Sequence, residues 1–288
     1  MTDFASILNA WLAHTKDRVD LAEGTKRNYA RVLRTLLHWC GDRTFAELSL
    51  PDFVRSRRRA GLADRTIHLE LSILRIVVRW AEQERLMVLA TPLRLPRLRI
   101  DPRQFRANHT TPTPEEAGLA IASMPHDDWR LAASLLARTG ARVGEVVSLR
   151  SRDLDEHRGT LVLGAAVGNS KTGSRTFPLD PHSLRLLRGR GARGRTPLLD
   201  FGGVRNPKHG IRQRLQKACL KAGVQVFTPH GLRRMVVGRL IRACVDPGTA
   251  AALTGHTVTV MLRFYQVVTE RDRRAATIAA QLGELTGE

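Results

Sequence analysis

The residues with the most chemistry to offer lie between Thr228 and Tyr265, in TPHGLRRMVVGRLIRACVDPGTAAALTGHTVTVMLRFY. This stretch holds a His-x-x-Arg pair (His230, Arg233), a Gly-His pair (Gly255, His256) and one of the protein's two tyrosines, Tyr265. Guanidinium forks match phosphate oxygens, and imidazole can hydrogen-bond or move a proton near neutral pH. Together they point to a site for an anion. A phenol with a pKa near ~10 is protonated at neutrality and becomes a nucleophile only beside cations or a base. Each piece alone is also what an ordinary packed helix carries. The rest of the chain must decide.

Two further stretches add cations. In Thr139-Gly-Ala-Arg142-Val-Gly-Glu145, Gly140 suits a helix C-terminus and puts Arg142 on a turn leading into the next helix. Glu145, three residues on, can brace it. Residues 160–179 carry the clearest strand signals: apolar runs Leu161 to Leu163 and Ala165 to Val167, then Arg175-Thr-Phe-Pro-Leu after a Gly168–Ser174 turn. This pattern predicts a small antiparallel sheet with Lys171 on or beside a hairpin loop. A loop lysine is commonly solvated, but a loop is also how a flexible cation reaches into a site.

The elements that must position these residues are mostly helices. Phe4, Ile7, Leu8, Trp11 and Leu12 have amphipathic-helix spacing. A second helix is expected from Thr25 as N-cap, burying Tyr29, Val32, Leu33, Leu36 and Leu37. Tyr29 therefore reads as a core residue rather than as the nucleophile. A third opens at Ser49 and runs into Arg55, Arg57, Arg58 and Arg59. A fourth begins near Asp64, with Ile67, Leu71, Leu74, Val77, Val78 and Trp80 inward and Arg65, His68, Arg75 and Arg79 outward, almost without acidic partners. The first 91 residues thus read as a helical bundle with a basic face, and those four outward residues are the candidate DNA contacts. Residues 92–112, rich in proline and arginine, read as an extended linker. Thr113-Pro-Glu-Glu opens a second domain, residues 113–288, with an N-cap, proline at the first helical position and acids in the first turn. Its last residues, including Ala275, Ala276, Ile278, Ala279 and Leu282, suggest a closing helix with an apolar face. The fold class expected is mainly α with a small antiparallel β-sheet.

Composition narrows the partner. The 288 residues include 47 Lys+Arg against 27 Asp+Glu, a formal charge of +20, while the apolar fraction of 42% is ordinary. Such an excess favours a polyanion, and arginine suits phosphate. No apolar run approaches the ~20 residues a membrane span needs, and arginines interrupt the best candidate, LSILRIVVRW. The three cysteines, Cys40, Cys219 and Cys244, are scattered, which argues against disulfides or a zinc site. Each sits in an apolar helical context that reads as a buried free thiol in a reducing cytoplasm. The N-terminus lacks a secretory signal.

In the order Arg142, Lys171, His230-x-x-Arg233, His256, Tyr265, the chain resembles the tyrosine recombinases, the phage-integrase family with its short Xer-like members. TGARVGEVVSL matches the block of the first catalytic arginine, GNSKTGSRTFPL the hairpin of the catalytic lysine, HGLRR the His-x-x-Arg block, and TGH followed by Tyr265 the last one. The resemblance spans nearly the whole chain. Thr254 stands where a leucine often precedes Gly-His, Met261 replaces a frequent threonine, and Gln266-Val267 replaces a frequent Thr-His; none of these positions is catalytic in the family.

The resemblance implies a SAM-like core-binding domain followed by an α+β catalytic domain. It also implies that Tyr265 attacks a scissile phosphodiester to give a 3′-phosphotyrosine. Arg142 and Arg233 would clamp the non-bridging oxygens, Lys171 protonate the 5′-oxygen, His230 take the tyrosine proton, His256 donate to the phosphate, and Glu145 support from behind. No metal and no nucleotide cofactor is expected. Double-stranded DNA with specific sites is the expected partner, bound by a homotetramer or by a heterotetramer with a related recombinase. Two rivals share part of the pattern: a DNA-binding or architectural protein without catalysis, and a type IB topoisomerase that relaxes DNA without strand exchange.

Overall fold

The computed structural model describes residues 3–98, 110–165, 173–190 and 196–265, with Tyr265 described by its backbone alone. The chain divides into two compact units, Met1–Phe105 and Arg106–Glu288.

Among the described residues of the first unit the regular elements are helices, α1 (Phe4–Asp17), α2 (Glu23–Cys40), α3 (Leu50–Arg59) and α4 (Asp64–Gln83), with a 3-10 turn at Phe45–Glu47, and residues 87–98 run on without helix or strand. The apolar stripes read from sequence meet in one core, where Phe4, Leu8, Val32, Leu33, Leu36, Phe53, Ile67, Leu74 and Val77 are completely buried. Tyr29 packs at its edge with its ring 4.9 Å from that of Trp11, as a core-flanking aromatic. Ser49 caps α3 by accepting from the Asp52 N–H. The start of α2 differs from expectation. Its first residue is Glu23, after Ala22, and Thr25 lies inside the first turn, where the N–H groups of Thr25 and Lys26 both reach the Ala22 carbonyl. α4 also carries an acid that its basic face concealed: Glu70 is completely buried and accepts a fork from Arg57, whose Nη2 and Nε lie at 2.7 and 2.9 Å. One of the four arginines of α3 is therefore committed to the interior.

The second unit opens with α5 (Pro114–Ala122), capped by a reciprocal Thr113–Glu116 box. Then follow α6 (Asp128–Thr139) and the single-turn α7 (Val143–Val147). A three-stranded antiparallel sheet comes next, in the order β1 (Leu154–Asp155), β2 (Thr160–Leu163), β3 (Arg175–Pro178). Leu161 pairs with Leu154 and Phe177, and Leu163 with Arg175. β1 has no alternation long enough to announce it; it exists because β2 offers it a partner. Lys171 falls between β2 and β3 but outside the described residues. α8 (Pro181–Leu187), α9 (Pro207–Lys221), α10 (Pro229–Arg242), α11 (Pro247–Thr254) and α12 (Val258–Tyr265) complete the described chain. The tail with Ala275 and Leu282 lies outside it. α6 and α10 pack through Leu135, Leu136, Leu232 and Met235 in the main core, while Val237, Ala250, Ala251 and Met261 tie α10, α11 and α12 together.

Cys40 and Cys219 are buried, but Cys244 is exposed. It terminates α10 in a left-handed conformation, φ 53°, with its N–H on the Ile241 carbonyl. The helix ends at Arg242, two residues before it.

Candidate active site

Two helix C-termini build the site. α6 ends at Gly140, left-handed at φ 63°, and α11 ends at Gly255, φ 67°. The last carbonyls of a helix lack intrahelical donors and carry the negative end of its dipole, so both turns attract cations. Arg233, one turn into α10, donates from Nη1 to the Gly140 carbonyl at 2.6 Å and from Nη2 to that of Gly255 at 3.4 Å. Arg142, the residue that precedes α7, donates from Nη2 to the same Gly255 carbonyl at 2.7 Å. Two arginines from distant parts of the sequence thus share one acceptor.

Glu145 fixes the first of them. Its carboxylate accepts from the Arg142 N–H at 2.8 Å and from Arg142 Nη1 at 2.9 Å. Arg175, the first residue of β3, donates to both oxygens of the same carboxylate, at 3.1 and 2.9 Å, and from Nε to the Leu253 carbonyl at 2.9 Å. Burial alone would raise the pKa of Glu145, but the bonds from Arg175 and Arg142 outweigh it and hold the value at about 2. It stays ionised. Three guanidiniums therefore gather around a single carboxylate, leaving an excess of positive charge. Arg233 is buried to 4% exposure, and burial followed by the nearby Arg142 lowers its pKa to about 9, so it remains charged at neutral pH. The Arg142 side chain keeps 40% exposure and opens the cluster to solvent.

His256 follows the Gly255 cap. Its Nε2 lies 2.9 Å from Arg233 Nη2, its Nδ1 lies 2.9 Å from Thr254 Oγ1, and its ring is 5.7 Å from that of Phe264. Burial and then the charges of Arg233, Arg142, His230 and Arg175 push its pKa down to about 3. His230 stands exposed in the first turn of α10, one turn before Arg233. Tyr265 ends α12, the helix that begins just after His256. The structure thus brings together Arg142, Glu145, Arg233 and His256, with His230 close enough to influence His256. Lys171 lies outside the described residues.

Arg65, His68, Arg75 and Arg79 are all exposed on α4, opposite buried Ile67, Leu71, Leu74 and Val78. They belong to the first unit. Sequence reasoning missed Arg175. The available signal was strand alternation, which puts Arg175 on the half-buried face with Phe177. Among the described residues no group of three or more His, Cys, Asp or Glu is placed to hold a metal ion, and no helix is long and apolar enough to cross a membrane.

Residues 119–271 match the Phage integrase family, and residues 8–85 match the phage integrase N-terminal SAM-like domain. The chain is 28% identical to the tyrosine recombinase XerA of Thermococcus kodakarensis, over 92% of either chain. It is 27% identical to the integrase of Mycobacterium phage L5, over 92% of this chain and 76% of the phage protein. Among solved structures, the Tn1549 transposon integrase in complex with transposon right end DNA superposes with a TM-score of 0.70 at 20% identity, covering 97% of this chain and 99% of that one. A lambda integrase tetramer bound to a Holliday junction superposes at 0.65 and 19% identity, covering 90% and 77%. With a SAM-like domain ahead of a catalytic domain in which Arg142, Arg233 and His256 meet around the ends of two helices, the chain belongs to the phage integrase family and is a tyrosine recombinase of the Xer-like type.

Proposed function

We propose that the chain is a site-specific recombinase that cuts and rejoins duplex DNA through a 3′-phosphotyrosine at Tyr265. The observation that carries this reading is the cluster of Arg142, Arg175 and Arg233 around the single carboxylate of Glu145, half open to solvent at Arg142. A phosphodiester supplies the missing negative charge. Arg142 and Arg233 hold its non-bridging oxygens, where preorganised cations stabilise the charge that builds in the transition state. Tyr265 attacks phosphorus, its proton passing to His230, and Lys171 protonates the departing 5′-oxygen. His256 donates to a phosphoryl oxygen. The covalent intermediate keeps the phosphodiester energy, so the reaction runs without nucleotide, and the cations of the protein take the place of a metal.

In this reading residues 1–91 grip the duplex through Arg65, His68, Arg75 and Arg79, residues 92–112 follow its backbone, and residues 113–288 catalyse. The working unit is a tetramer on two recombination sites, homomeric or shared with a related recombinase, in the cytoplasm. The lambda integrase tetramer on a Holliday junction supports this stoichiometry by likeness of fold. The test is purified protein with a supercoiled plasmid carrying two copies of its target site, found by sequencing the DNA covalently attached to the protein in cells, in EDTA and without nucleotide. The expected products are recombinant circles. Relaxed circles without exchange would support the topoisomerase alternative, and bound but uncut plasmid the architectural one.

A further inference from the structure

His256 is held in one protonation state by its neighbours. A guanidinium has N–H donors and no acceptor, so His256 Nε2, 2.9 Å from Arg233 Nη2 and 3.3 Å from Arg233 Nε, offers a lone pair. The ring proton therefore sits on Nδ1. Thr254 completes the chain of donors. Its Oγ1 donates to the Ala250 carbonyl at 2.7 Å, which leaves an oxygen lone pair to accept Nδ1–H at 2.9 Å. Thr254 is completely buried in the last turn of α11, so its hydroxyl has no water to turn towards. The charged groups facing the ring are Arg233, Arg142, His230 and Arg175, all able to bear positive charge, and the one carboxylate of the cluster, Glu145, is bonded to Arg142 and Arg175. A neutral ring is what such surroundings permit.

We propose that Thr254 is a positioning residue that holds His256 as its Nδ1–H tautomer, so that the DNA-free site presents a lone pair at Nε2. His256 can then donate to a phosphoryl oxygen only after Nε2 has taken up a proton. The proposal rests on the recombinase reading for the phosphate itself. When the phosphate enters, Arg233 turns its Nε and Nη2 hydrogens from His256 to the anion. The anion offsets the surrounding cations, and one proton from solvent binds Nε2. The resulting imidazolium has both hydrogens placed: Nδ1–H on Thr254 and Nε2–H on the phosphate. No covalent bond between heavy atoms changes in this step.

The test is nitrogen NMR of full-length protein labelled in histidine, in a Tyr265→Phe background that cannot cleave, with the His256 signals identified by their absence in His256→Gln. Free protein should show Nδ1 protonated and Nε2 bare. Adding duplex that carries the recovered site should protonate both nitrogens. Thr254→Val, equal in shape but without the acceptor, leaves Arg233 as the one constraint of this pair on the ring, so the free protein should show a measurably smaller share of the Nδ1–H tautomer, and Thr254→Ser should restore it. Free protein with Nε2 protonated, a Thr254→Val spectrum like that of the wild type, or bound DNA that leaves His256 unchanged would each overturn the proposal. The free-protein arm needs no DNA. Failure of the wild type to form covalent DNA adducts would strike the recombinase reading and leave the tautomer assignment to stand or fall on its own spectrum.

Discussion

At the scale of single residues the site depends on a charge balance that acid disturbs. Glu145 has a folded pKa of about 2 against an ordinary value of 4.5, so its contribution to stability is complete above 4.5 and is lost as pH falls towards 2. His256 is depressed from 6.5 to about 3, so only the unfolded chain takes up a proton between those values, and stability falls as pH drops below 6.5. Both effects act in the same direction. Urea titrations at descending pH should show wild-type stability falling from near 6.5, while His256→Gln should begin to fall only near 4.5; identical profiles would contradict a buried neutral imidazole. Arg175 gives a second prediction. Arg175→Gln leaves Glu145, 3% exposed, with one charged partner in place of two. Breaking a buried pair from one side costs about 3 kcal/mol, measurable by chemical denaturation, and the loosened Arg142 should abolish DNA cleavage in refolded protein as well.

At the scale of elements, the geometry hangs on how α6 and α11 stop. Gly255 sits at φ 67°, and a Cβ there would approach Arg175 Nη1 to 2.5 Å. Gly255→Ala therefore meets both a left-handed backbone, worth about 1–2 kcal/mol, and displacement of the arginine that holds Glu145. The expected outcome is a lower melting temperature and a loss of cleavage larger than the stability change explains; cleavage at the wild-type rate would show that the cap does not set the site. Much of this was legible in the sequence. Apolar periodicity marked α1 and α4, the Ser49 and Thr113 caps set two helix starts, and Gly140 announced the turn that presents Arg142. What stayed hidden was hidden for physical reasons. Glu70 and Arg175 are charged residues on inward faces, and their burial depends on partners 13 and 30 positions away, Arg57 and Glu145. Two-residue β1 has no period to read. Cys244 lies in an apolar run, but the helix ends at Arg242, two residues before it, and it is exposed. The Thr254–His256 bond needed the cap geometry of Gly255 before the two polar residues on either side of it could become donor and acceptor.

At the scale of the whole molecule, the charge of +20 and the exposed arginines of α4 make DNA affinity an electrostatic matter. Each neutralised phosphate releases counterions, so the logarithm of the binding constant should fall steeply with the logarithm of salt. Replacing Arg65, Arg75 or Arg79 with alanine should reduce that slope by about 0.9 for each phosphate left without its arginine, read by fluorescence anisotropy over a salt series. An unchanged slope in all three variants would place the duplex elsewhere. The central claim, a covalent bond between Tyr265 and DNA, has a more direct test. Protein–DNA adducts are recovered under denaturing conditions from cells expressing the wild type or Tyr265→Phe, and the attached DNA is sequenced. The account predicts adducts at a defined sequence in the wild type and none in the variant. Adducts that persist in Tyr265→Phe, or wild-type protein that binds DNA and never forms one, would contradict it.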